Sequence, residues 1–209
     1  MSFNDPIFAG VTNGSVGQVL ANGVSLTDKS FANANNGNQI ITLNGNNTLT
    51  RVRVGLPTRE GPRVAGNGTF TFNSCWIEVD GTGADHADCI QTYAPGSSGS
   101  LVLNNTTLRA YKSGERGGIG SAGIMGGENW VGSFVFRNVL FWSGYVAAHL
   151  YPDVGGDIHF NWENVYFVNS SPSYGPYGGH KVVVDRWVNV CNATIVNGVV
   201  VPGAPLARP

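Results

Sequence analysis

The chain has 209 residues, thirty of them glycine, with twelve Lys plus Arg against thirteen Asp plus Glu and a formal net charge of −1. That length suits one domain with a sizeable core. The charge balance argues against a nucleic-acid partner, which needs a basic face to neutralise phosphates. Lys, Glu and Met are few while Val, Thr, Phe, Tyr and Trp are frequent, a mix that favours strands over helices. No apolar stretch is long enough to span a membrane, so no membrane partner is expected. Cys75, Cys89 and Cys191 lack metal-type spacing, and an odd number leaves at least one unpaired.

The first residues, Met1-Ser2-Phe3-Asn4-Asp5-Pro6, carry neither the basic region nor the apolar run of a secretion signal. A chain made without a signal and one from which it was removed remain alternatives. Residues 1–38 are rich in Asn, Gly and Ser with short apolar pieces such as Val16–Leu20, and are expected to form an irregular N-terminal cap with one or two strands. Residues 39–200 repeat a pattern, and 201–209 read as a C-terminal tail.

The repeat is apolar-x-apolar-x-Asn-x-x-apolar. It runs through Phe70–Ile77, Leu101–Leu108, Phe134–Phe141, Phe160–Phe167 and Val188–Ile195, with Ile40–Asn44 as a less regular opening unit. Its key positions, Ser74, Asn105, Asn138, Asn164 and Asn192, are separated by 31, 33, 26 and 28 residues. Alternation predicts a half-buried strand. An Asn then suits a bend, because it tolerates the left-handed conformation and bonds to nearby backbone. Five or six such units at a period of about 30 residues fit stacked β coils, with strands roughly 4.8 Å apart and the Asn side chains in a hydrogen-bonded ladder. A β-sandwich is the alternative, but it has no reason to repeat one bend residue in one place.

This pattern, over roughly residues 40–200, resembles the right-handed parallel β-helix proteins of the pectate-lyase-like superfamily. His86-Ala87-Asp88-Cys89-Ile90-Gln91 is similar to the His-x-Asp-Gly-Ile-Gln segment of a subset of them, with Cys89 in place of Gly. The resemblance implies an all-β, single-domain right-handed parallel β-helix (β-solenoid) of about five to six turns behind the N-terminal cap. It also implies a polysaccharide partner.

Asp85–Tyr93 gathers two carboxylates, an imidazole, an amide and a phenol in a chain otherwise poor in charge. Cleavage of an acidic glycan by β-elimination needs a base and something cationic over the substrate carboxylate. His86 can be the base, with Asp85 or Asp88 fixing its tautomer. Arg109, Lys112 and Arg116 can supply the charge. Alternatively Asp85 and Asp88 can offer oxygens to Ca²⁺, or act as a hydrolytic pair. The plain reading is turn chemistry, since Asp80-Gly81-Thr82-Gly83 is a turn that Asp85 continues.

Aligning Ile90 with Ile124 and Leu150 sets Gln91 beside Met125 and Tyr151, and Cys89 beside Gly123 and His149. His149 and Tyr151 then join the catalytic set across a glycine-rich floor of Gly117–Gly127. Tyr177 and His180 belong to an apparent loop whose rings can stack on sugars. One conflict is built in: on a regular strand His86, Asp88 and Ile90 share a face, unless a bend intervenes between Asp88 and Ile90. A lyase on a uronic-acid polysaccharide is therefore the leading expectation. A non-catalytic glycan-binding module and a structural solenoid such as a phage-tail or surface-appendage part are the alternatives. The last two would set the protein outside a cell or on a virion.

Overall fold

The computed structural model describes residues 8–32, 39–81, 87–92, 98–111, 121–126, 130–142, 146–150, 156–169, 175–179 and 181–209; in two strands the side chains of Ser121, Ala122, Met125, Val146 and His149 are not described. Alternating apolar positions form strands throughout. In chain order these are β1 (Thr12–Asn13), β2 (Gln18–Leu20), β3 (Ser25–Phe31), β4 (Ile41–Asn44), β5 (Asn47–Val54) and β6 (Arg63–Ala65). There follow β7 (Gly68–Asn73), β8 (Trp76–Val79), β9 (Ala87–Thr92), β10 (Ser98–Asn104), β11 (Thr107–Ala110) and β12 (Ser121–Gly126). The last are β13 (Val131–Trp142), β14 (Val146–Leu150), β15 (Ile158–Val168), β16 (Tyr177–Gly179), β17 (Val182–Val196) and β18 (Val199–Pro205). No helix is assigned among the described residues.

The strands divide into an eleven-stranded sheet and a seven-stranded sheet ordered β16-β14-β12-β9-β6-β4-β2. Pairing is parallel throughout except where β18 returns antiparallel on β17. β1 pairs with β3 and β3 with β5 in register, so both belong to the larger sheet, while β2 between them pairs with β4 in the smaller one.

The expected right-handed β-helix of five to six turns is not what the chain forms. Successive pairings of β5, β7, β10, β13, β11 and β8 return to β5, closing a barrel of six parallel strands with the second parallel sheet beside it. The cause lies at the bends. β5 and β13 run through their positive-φ residues, Arg51 and Asn138, as single strands. At Ser74 and Asn105 the strand breaks instead, giving β7 and β8, then β10 and β11. Thr106 replaces ladder bonds at the break: its hydroxyl accepts from the Cys75 amide and lies within bonding distance of the Phe72 and Asn104 carbonyls. Each long strand pairs with both halves of a broken one, and the ring closes.

The bends stand in register. Asp28, Arg51, Ser74, Asn105, Asn138, Asn164 and Asn189 occupy equivalent places, each with φ between 49° and 57°. Asn138 donates to Asn105 at 3.0 Å, Asn164 to Asn138 at 3.0 Å and Asn189 to Asn164 at 2.7 Å. The last rung is Asn189 and not the expected Asn192, which lies opposite Phe167 further along β17. The signal that marks it is aromatic-x-Asn, shared by Phe136-Arg137-Asn138, Trp162-Glu163-Asn164 and Trp187-Val188-Asn189.

Inside the bends the core is aromatic. Phe136 stacks on Trp162 at 5.0 Å, Trp162 on Trp187 at 5.1 Å, and Phe141 on Phe167 at 5.0 Å. Such pairs add about 0.5–1.5 kcal/mol each beyond the area they bury. One buried cluster draws on both sheets, from Leu20 to Val190, and Leu206 packs on it from the C-terminal segment.

Candidate functional site

β9 carries the described part of the polar cluster. Asp88 is 1 % exposed, and Cys89 and Ile90 on either side of the next bond are fully buried. Four consecutive buried residues, Ala87 to Ile90, mark a stretch covered on both faces, since side chains of a strand alternate. Pairing with β12 passes over Cys89 and Gly123, while Asp88 lies opposite Ala122 and Ile90 opposite Ile124. The register does not shift there, and Asp88 is buried together with Ile90, as a shared face on a strand requires. The Cys89 thiol donates to the Ile77 carbonyl at 3.4 Å, across the interior. Burial, reinforced by the Asp88 and Glu78 carboxylates, pushes this thiol well above its ordinary range. The preceding chain is pressed against the same residues: the Gly61 amide donates to the Asp88 carbonyl at 2.9 Å, and a Cβ on Gly61 would lie 2.0 Å from the Cys89 carbonyl oxygen. Only glycine fits there.

Further along β9, Gln91 is half-buried between buried Ile90 and Thr92, so its side chain faces outward. It sits in a row across the seven-stranded sheet: Thr42, Arg63, Gln91, Met125, His149 and Gly178. Arg63 Nε donates to Gln91 Oε1 at 3.0 Å, which fixes the amide's orientation. The expected alignment is two residues off. His149 rather than Tyr151 shares the row with Gln91 and Met125, because Ala148, not Leu150, lies opposite Ile124.

The remaining predicted positions separate. Asp85, His86, Lys112, Arg116, Tyr151 and His180 lie outside the described residues. Arg109 belongs to the other sheet, opposite Glu78 and Trp142. Tyr177 is on β16 and not in a loop. Its ring packs against Phe160, Trp162, Phe167 and Trp187, and its hydroxyl donates to the Ala207 carbonyl. Burial raises its pKa. Among the described residues no group of three or more His, Cys, Asp or Glu is placed to hold a metal ion.

Sequence reasoning missed Arg63, which no motif marks, and an outward cluster of Trp76, Glu78, Tyr111 and Trp142. Strict alternation in Trp76-Ile77-Glu78-Val79 was a usable signal for the second. Comparison with protein-family models, with curated proteins and with solved structures found no match.

Proposed function

We propose that this protein engages an acidic polysaccharide laid across the row of the seven-stranded sheet that runs through Arg63, Gln91 and His149, and that β-elimination is the chemistry the row serves. The observation that carries the reading is the Arg63–Gln91 hydrogen bond, in register through Met125 with His149. A guanidinium pairs well with a uronate carboxylate, an oriented amide hydrogen-bonds sugar hydroxyls, and an imidazole titrates where a general base must work. Three strand spacings, about 14 Å, separate Arg63 from His149. Arg63 thus anchors the carboxylate of one sugar while His149 acts as base at another, so Arg63 serves binding and not the charge that elimination develops.

The test is incubation with a panel of uronic-acid polymers, following absorbance of the unsaturated ends that elimination creates. Activity is expected, and His149→Ala is expected to lower it by about a hundredfold or more. Binding with no absorbance on any polymer would sink the catalytic half of the proposal. No binding to any of them would sink the whole. A non-catalytic glycan-binding module is the second reading, favoured by the burial of Asp88, which takes that carboxylate away from any bound chain.

A further inference from the structure

The outer face of the larger sheet is mostly Thr, Ser and Asn, with the Arg137–Glu163–Arg186 ion pairs at 3.6 and 3.0 Å. Exposed valines interrupt it on β17 and β18, and one further region is aromatic. Trp76 and Trp142 both point outward, half-buried, while their neighbours Ile77 and Phe141 fill the core. Their rings meet edge to face at 6.2 Å. The Arg109 guanidinium lies 4.0 Å over the Tyr111 ring and 4.7 Å over Trp142, and donates to the Trp142 carbonyl at 3.3 Å. Tyr111 donates its hydroxyl to Glu78 at 2.7 Å. Behind Trp142 a satellite cluster of Leu140, Tyr166 and Val168 holds the ring in place.

We infer that this patch is a second glycan-binding surface, on which a uronic-acid chain stacks a sugar face against Trp76 and Trp142. The pieces match the ligand's chemistry. Aromatic rings offer large rigid area at low entropic cost to the C–H face of a pyranose. A guanidinium immobilised by stacking and a backbone bond loses little freedom when it meets a carboxylate. Charge complements an acidic chain rather than a neutral or basic one. Among the described residues of the patch, Arg53, opposite Trp76, and Arg109 bring two positive charges beside the carboxylate of Glu78, which accepts from Tyr111.

The inference rests on the acidic-glycan reading but uses residues outside the Arg63–His149 row. It is tested by titrating the full chain with polygalacturonate and alginate, with dextran as the neutral control. Trp76→Ala and Trp142→Ala are each expected to weaken polyuronate binding about tenfold and to leave dextran unaffected. If Arg63→Ala abolishes binding while both tryptophan variants match wild type, the patch is overturned and the row stands. If no polyuronate binds wild type, both fall. A second measurement needs no variant. N-bromosuccinimide oxidation of the wild-type protein, mapped by peptide mass spectrometry, is expected to spare Trp76 and Trp142 when polyuronate is present. Equal oxidation with and without polymer would overturn the inference even if the alanine variants fail to fold.

Discussion

Asn138 does two jobs with one side chain. Its backbone sits at φ 55°, where a residue with Cβ and no local hydrogen-bonding group pays a penalty of about 1 kcal/mol. Its amide meanwhile donates to Asn105 and accepts from Asn164. Asn138→Ala loses both advantages and is expected to lower stability by about 2 kcal/mol in urea unfolding. Asn138→Gly relieves the backbone and loses only the ladder, so its deficit is expected to be roughly half as large. Equal losses in the two variants would assign the whole effect to the side-chain bonds. Asn105, Asn138 and Asn164 were legible in the sequence because each follows an apolar alternation at a similar interval. Asn189 was not: the bulge between Phe160 and Asn161 shifts the register of β17, and Asn192 offered a better match to the same pattern.

At the scale of elements, β7, β10 and β13 approach one another through a column of glycines. A Cβ on Gly99 would stand 2.0 Å from the Gly68 carbonyl oxygen, and one on Gly132 would stand 2.0 Å from that of Gly99. Neither obstacle is the end of a flexible side chain; both are backbone. Gly99→Ala is therefore expected to cost about 1–3 kcal/mol, read as a lowered midpoint in thermal or urea unfolding, where an unstrained Gly→Ala change would stabilise slightly. An unchanged midpoint would show that the strands can part at this edge. The strands themselves were legible from period-two alternation. The position of His149 in Gln91's row was not, because register across a connection depends on its length and path. The closure of six strands into a ring was likewise hidden. It turns on whether a strand continues through its bend, and Arg51 and Asn138 continue where Ser74 and Asn105 break.

For the whole molecule, the buried thiols tie stability to pH. Burial pushes Cys75 from 9.0 up to about 12, against the smaller opposing effect of backbone hydrogen bonds. The folded pKa is the raised one, so the stabilisation is complete below the unfolded value near 9.0 and is lost as pH climbs toward about 12. Unfolding free energy is expected to fall across that interval, and Cys75→Ala to make the fall shallower. It will not remove it, since Cys89 and the raised phenols of Tyr111, Tyr166 and Tyr177 titrate in the same sense. A flat pH profile in the wild-type protein would contradict the burial of these thiols.

The antiparallel return of β18 matters for the order in which the molecule assembles. Asn197 and Gly198 both have positive φ, at 50° and 74°, and join β17 to β18 by a two-residue turn with Val196 opposite Val199. That is the type I′ geometry that Asn-Gly favours. Every parallel pair must first close a long intervening loop, whereas this hairpin closes on its immediate neighbour. Hairpins form in about 1–10 μs, and non-local parallel pairing is far slower. The C-terminal hairpin is thus expected to form before the parallel pairs, and pulse-labelled hydrogen exchange should show amides of β17 and β18 protected first; simultaneous protection of all strands would contradict it.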